Sequence, residues 1–354
     1  MEVAKSFYKK HEWVILTAVW VISSACVTGI LLDTHENTGS KSVKVMYANF
    51  SGFVLLLPVT GYCAKGGFQQ LKKKWNLLRL GILGIMYGMD KYLSTMILYG
   101  VGPIMKTGLN SLRIVITVCV AAIILRDREN QKQLTGSSCS QMQTFLGSAY
   151  NRHAIASVTL MLIGCFIMVR VDFWMHAEFW LMLAAGTCSA FFLSLLRRLY
   201  DQTKDPEYPT IDKPCVFHVV LFVEPITGAI LLAHHLFLGT NPFVTDFYWE
   251  DYFLPVGFVS LALSQLALVR LKDPVTVQIL GMWKDVMVLI VFQIVHTDYQ
   301  RFGRSELLGF IISCVGVYYH GCAAKLNSPD SLPTFREETD LPCIQKQICH
   351  PSVD

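Results

Sequence analysis

The chain has 354 residues, 53% of them hydrophobic and only 16% charged, with a formal net charge of +4 and a mean hydropathy of +0.43. Soluble domains keep about a quarter of their residues charged, so a soluble globule is excluded and a lipid-facing surface that needs no polar coat is implied. The Lys and Arg residues sit in short loops between apolar runs, which makes them a topology signal, and no nucleic-acid partner is expected.

A short basic segment, MEVAKSFYKKHE, leads into a full-length apolar run with no small-residue cleavage site, and reads as the approach to a first span. Apolar runs fall at roughly 13–32, 43–63, 76–97, 101–125, 154–171, 176–199, 215–238, 252–271, 274–296 and 306–324. Each is close to the ~20 residues that carry a helix across ~30 Å of hydrocarbon. Helix is the required form, because irregular backbone would leave amides unpaired in lipid. Runs three and four meet at Gly100, Gly102 and Pro103, and runs eight and nine at Asp273 and Pro274; both joins read as tight turns. The expected fold class is all-α: a polytopic membrane protein of ten transmembrane helices in the lipid bilayer. Residues 129–152, rich in Ser and Gln, read as a cytosolic loop, and 327–354 as a cytosolic tail with little fixed structure.

With the N-terminus cytosolic, Lys5, Lys9, Lys10, Lys72–Lys74, Arg126, Arg128, Arg197, Arg198 and Lys325 share one side of the membrane. The opposite 240–251 loop is acidic, with Asp246, Glu250 and Asp251. Lys41, Lys44, Arg301 and Arg304 are exceptions, and the balance puts both termini in the cytosol. Of the eleven cysteines, Cys26, Cys119, Cys165, Cys188 and Cys314 lie inside apolar runs, and no Cys/His cluster has metal-ligand spacing. No metal, cofactor or catalytic residue is expected.

Spans four and nine match each other. Pro103 is followed by Arg113 and then Asp127, and Pro274 at the same intervals by Lys284 and Asp298. Both spans run on into one with a central glycine, Gly164 and Gly316. The halves are therefore expected at 1–172 and 173–326. Five spans per half is an odd number, so the second half enters from the opposite side, the inverted repeat that places a binding site at the midplane.

A cation at the bilayer centre costs roughly 2.5–3.5 kcal/mol on insertion scales, so Arg113 and Lys284, each near the middle of its span, need a function or a partner. The functional reading is a cationic pocket for an anionic, phosphate-bearing small molecule, with Lys as a point charge and Arg as a planar fork. The structural alternative pairs them with Glu224 or Asp285. Lys106, Asn110, Arg113 and Thr117 share one helical face and should line a cavity, unless Lys106 snorkels to the membrane surface. Lys284 shares its face with Gly281, and Gln278 with Asp285. Gly281 fits close approach of a ligand or of another helix. Glu224 precedes Pro225, which should kink span seven; its carboxylate suits charge balance, proton binding or a ligand's polar groups. Asp90 and Lys91 read as a gate or a simple interfacial pair, and His234 and His235 as interfacial. The sequon Asn49-Phe50-Ser51 lies within span two and should carry no glycan.

The segment DPVTVQILGMWKDVMVLIVFQIVHTDYQRFGRSELLGFIISCVGVYYH resembles the corresponding region of drug/metabolite-superfamily transporters, in their nucleotide-sugar and triose-phosphate translocator branch. Pro274, Thr276, Gly281, Lys284, Asp298, Gly309, Gly316 and Tyr318 carry the likeness. The resemblance implies ten helices in a five-plus-five arrangement and antiport of a nucleotide sugar for its nucleoside monophosphate. It also implies a Golgi or endoplasmic reticulum membrane and a phosphate contact at Lys284. Phe222-Val223-Glu224-Pro225 and Trp283 stand where GDP-sugar carriers have asparagines, which argues against a GDP-sugar. Two alternatives stay open: proton-coupled transport of another metabolite through Glu224 and Asp285, and a non-transporting membrane scaffold. An intramembrane enzyme is not expected, and a homodimer is compatible with such a bundle.

Overall fold

The computed structural model describes residues 2–33, 38–63, 74–134, 148–168, 177–202, 215–238, 247–272, 274–295 and 304–326. Their elements are α1 (Glu2–Asp33), α2 (Thr38–Cys63), α3 (Lys74–Leu134), α4 (Ser148–Met168) and α5 (Ala177–Gln202), then α6 (Val216–Phe237), α7 (Leu254–Leu271), α8 (Pro274–Val295) and α9 (Arg304–Leu326). A short 3-10 turn, Trp249–Phe253, leads into α7. Among the described residues there is no strand. Five stretches are long and apolar enough to cross a membrane: His11–Leu31, Lys41–Tyr62, Phe179–Tyr200, Val216–Phe237 and Trp249–Leu271. Asp298, residues 135–147 and the tail beyond 326 lie outside the described residues. The described edges of the 129–152 segment are helical rather than loop, because α3 runs on to Leu134 and α4 starts at Ser148.

One helix, α3, takes in two of the apolar runs, with helical backbone continuing through 100–103 where a tight turn was expected. It cannot be straight. At 1.5 Å per residue, Asp90 and Arg113 on a straight helix would stand roughly 34 Å apart, yet Arg113 Nη1 is 3.0 Å from Asp90 Oδ1. The chain therefore folds back between them. The two legs of α3 lie side by side.

The helices pack in a reciprocal pattern. Helix α5 lies against both legs of α3, as α1 lies against both α7 and α8, while α2 pairs with α6 and α4 with α9. The α4–α9 contact is reciprocal at residue level. A Cβ on Gly164 would sit 2.5 Å from the Gly309 carbonyl and the Ser313 amide, and one on Gly316 would meet the Met161 amide at 2.9 Å and the Ser157 carbonyl at 3.0 Å. A shift of 152 residues turns Gly164, Ser157 and Met161 into Gly316, Gly309 and Ser313, so one contact is the two-fold image of the other. Only glycine allows backbones this close.

Lys44 is not the exposed loop cation that its place in the sequence suggests. Its Nζ lies 2.7 Å from Asp251 Oδ2, and both side chains are 1% exposed. The same carboxylate oxygen accepts the Tyr248 amide at 2.8 Å, capping the 3-10 turn, and Lys44 also stands over the Tyr248 ring. Nearby, His235 is buried 3.2 Å from Ser42, and His234 Nδ1 is 2.7 Å from the Tyr92 hydroxyl. These histidines tie the end of α6 to α2 and α3. Asn49, in the sequon, is buried and donates to the Val45 carbonyl within its own helix.

Candidate functional site

The second leg of α3 and the middle of α8 meet where both carry polar side chains. Asn110 Nδ2 donates to Asp285 Oδ2. Asn110 lies one turn before Arg113, and Asp285 follows Lys284, so the contact brings the two cations into one neighbourhood within about one helical turn of depth. Each stands ten residues past its proline, or roughly 15 Å of helix.

Each cation has partners of its own. Arg113 is buried; its fork reaches Asp90 Oδ1 at 3.0 Å and donates to Ser94 Oγ at 2.5 Å. Ser94 in turn donates to the Asp90 carbonyl at 2.6 Å. Lys284 Nζ lies 2.7 Å from Asp285 Oδ1 and donates to Ser24 Oγ at 3.0 Å, with its charge 5.4 Å from the centre of the Trp20 ring. Lys284 thus has a carboxylate the sequence offered, whereas Arg113 is paired with Asp90 rather than Glu224 or Asp285. The two pairs differ in access: the Arg113–Asp90 side chains are 10% and 6% exposed, and those of Lys284–Asp285 14% and 24%.

Two further lysines join the cluster. Half-buried Lys106 is within electrostatic range of Asp285, Lys284, Arg113 and Lys91. Lys91 is in range of Asp90, Lys284, Arg113 and Asp285, and stands 4.8 Å from the centre of the Tyr87 ring. Among the described residues neither lysine forms an ion pair. Glu224 is buried, in range of Lys91, with Oε2 lacking any hydrogen-bond partner among the described residues. Asn110 Oδ1, Arg113 Nε and Trp20 Nε1 are likewise buried and unpartnered. Lys91, Lys106, Arg113 and Lys284 therefore face Asp90, Asp285 and Glu224, an excess of positive charge with hydrogen-bonding capacity left over.

The remaining candidates are less engaged. A Cβ on Gly281 would come within 3.2 Å of the Trp20 indole, so this glycine lets α1 pack closely on α8. Gln278 is half-buried on α8, with no contact among the described residues that ties it to the cluster. Thr117 is buried and donates its hydroxyl proton to the Arg113 carbonyl one turn back.

No family model matches the chain, and no curated protein does. Among 28 solved chains similar to it in shape, one described only as a crystal structure of protein has a TM-score of 0.55 and 14% identity. The match covers 88% of this chain and 97% of that one. At that identity the likeness concerns the fold alone.

The sequence pointed to Arg113, Lys284, Asn110, Lys106 and Asp285, and these do lie together. It missed Trp20, Ser24 and Ser94. Trp20 and Ser24 are four residues apart on one face of α1, a polar pair in an apolar run that marks an inward face. Asp90 and Lys91 were noticed, but as a gate or an interfacial pair; the folding-back of α3 makes them part of the buried cluster.

Proposed function

We propose that this chain is a membrane transporter of a phosphorylated organic anion, with a nucleotide sugar exchanged for a nucleoside monophosphate as the first cargo class to test. Its ten spans form two inverted five-helix halves, with both termini in the cytosol, in a Golgi or endoplasmic reticulum membrane. Three features support the architecture: the fold-back of α3, the reciprocal α4–α9 contact, and the matching neighbours of α1 and α5. The observation that carries the function is the gathering of Arg113, Lys284, Lys106 and Lys91 against fewer carboxylates. A phosphate monoester carries −1.5 to −2 charges and three acceptor oxygens, and such a group takes up the surplus. The Asp90 and Asp285 pairs hold the cations until the anion competes for them.

The test is uptake of nucleotide sugars and sugar phosphates by vesicles reconstituted with the protein and preloaded with nucleoside monophosphate. Lys284→Ala is expected to abolish exchange while the protein still inserts, and undiminished exchange would refute the assignment. A second reading rests on Glu224, whose unpartnered buried oxygen faces the field of Lys91. In that reading the carboxylate carries a proton with the cargo. Uptake driven by a pH gradient and lost in Glu224→Gln would select it.

A further inference from the structure

A second place where positive charge gathers lies away from the central cluster, between the start of α3 and the end of α5. A cavity of about 290 Å³ is lined there by Arg79, Ile82, Leu83, Leu195, Arg198 and Leu199. Of its lining, Leu83 and Leu199 are buried and Ile82 is exposed. Arg79 follows the start of α3 by five residues, and Arg198 precedes the end of α5 by four. Both guanidinium groups thus stand near one membrane face, with an apolar track leading from them into the core.

The neighbouring Arg197 shows what a structural arginine does in this position. It donates to the carbonyls of Val269, Arg270 and Lys272, each at 3.2 Å, and so satisfies the open C-terminal end of α7. Among the described residues, Arg79 and Arg198 make no such contact. Among the described residues no carboxylate pairs with either, and no carboxylate lines the cavity.

We infer that this groove binds an anionic phospholipid, its phosphate held by Arg79 and Arg198 and its acyl chain along Ile82, Leu83, Leu195 and Leu199. Two guanidinium forks match phosphate oxygens. Basic pockets between helices at a membrane face take anionic headgroups, and an apolar lining beside the charges suits a lipid and not a free water-soluble anion. The inference rests on the chain being embedded in a membrane and is independent of what the central cluster carries.

The experiment is native mass spectrometry of the purified, delipidated protein. Phosphatidylserine or phosphatidylinositol is added in competition with phosphatidylcholine, and glycerol 3-phosphate serves as the headgroup without chains. Preferential retention of the anionic lipid is expected, together with a loss of that preference by roughly tenfold or more in the double variant Arg79→Gln, Arg198→Gln. Arg270→Gln, a cation at the end of α7 outside the groove, should leave it unchanged. Leu195→Trp fills the groove and keeps both charges, so it should also expel the lipid, which covers the case of a poorly folding double variant. Undiminished preference in either groove variant, or arginine-dependent binding of glycerol 3-phosphate as tight as that of lipid, overturns the inference.

Discussion

Two lysine–aspartate pairs, Lys44–Asp251 and Lys284–Asp285, have the same 2.7 Å separation and opposite surroundings. The first is sealed, each side chain 1% exposed, and is braced by the Tyr248 ring and amide. The second is 14% and 24% exposed and belongs to a group in which cations outnumber carboxylates. A balanced, dry pair ties helices together. An accessible pair in a positive field can exchange its partner for an incoming anion. Proximity alone separates neither role from the other; charge balance and access do.

The contrast is tested hardest at the sealed pair. Asp251→Ala removes the carboxylate that lies 2.7 Å from the buried Lys44 ammonium, and should lower unfolding stability by about 3–5 kcal/mol, read as a large fall in melting temperature in detergent. A wild-type melting temperature would remove the distinction. Next comes Lys284→Ala, which should weaken binding of a phosphate-bearing ligand by roughly 10–100-fold, the value of a charge-assisted hydrogen bond, in a titration followed by ligand-induced thermal shift. Its unliganded melting temperature should stay close to wild type. Asp285→Asn keeps the shape and frees Lys284 of its counter-ion, so stability should change by less than about 1 kcal/mol while anion affinity rises. A fall in affinity would mean that Asp285 positions the lysine rather than competing for it. The smallest effect is expected of Ser24→Ala, which removes one neutral hydrogen bond to Lys284 and should weaken the ligand by about threefold to tenfold.

Helix positions were legible in the sequence as long apolar runs set apart by polar segments. The run at 215–238 became α6 at Val216–Phe237, and the run at 274–296 became α8 at Pro274–Val295. Rotation about each helix axis was harder to read. Lipid tails are as apolar as the protein interior, so hydropathy does not say which face of α1 turns inward, and Trp20 and Ser24 went unnoticed beside Lys284. The Arg113–Asp90 pair escaped for a related reason. Both residues were in view, but their meeting depends on how sharply α3 doubles back. The Lys44–Asp251 pair joins positions 207 residues apart, and nothing local to either lysine or aspartate foretells such a partner.

The glycine seam of α4 and α9 has a consequence for any cycle in which mirrored halves trade shapes. Residues away from the axis must swap neighbours as the opening moves from one side of the bilayer to the other. Those on the axis meet the same counterpart before and after. Gly164 and Gly316 occupy such a place, which makes their seam a natural fulcrum. In such a cycle a bulky side chain inserted there would obstruct opening toward either side equally.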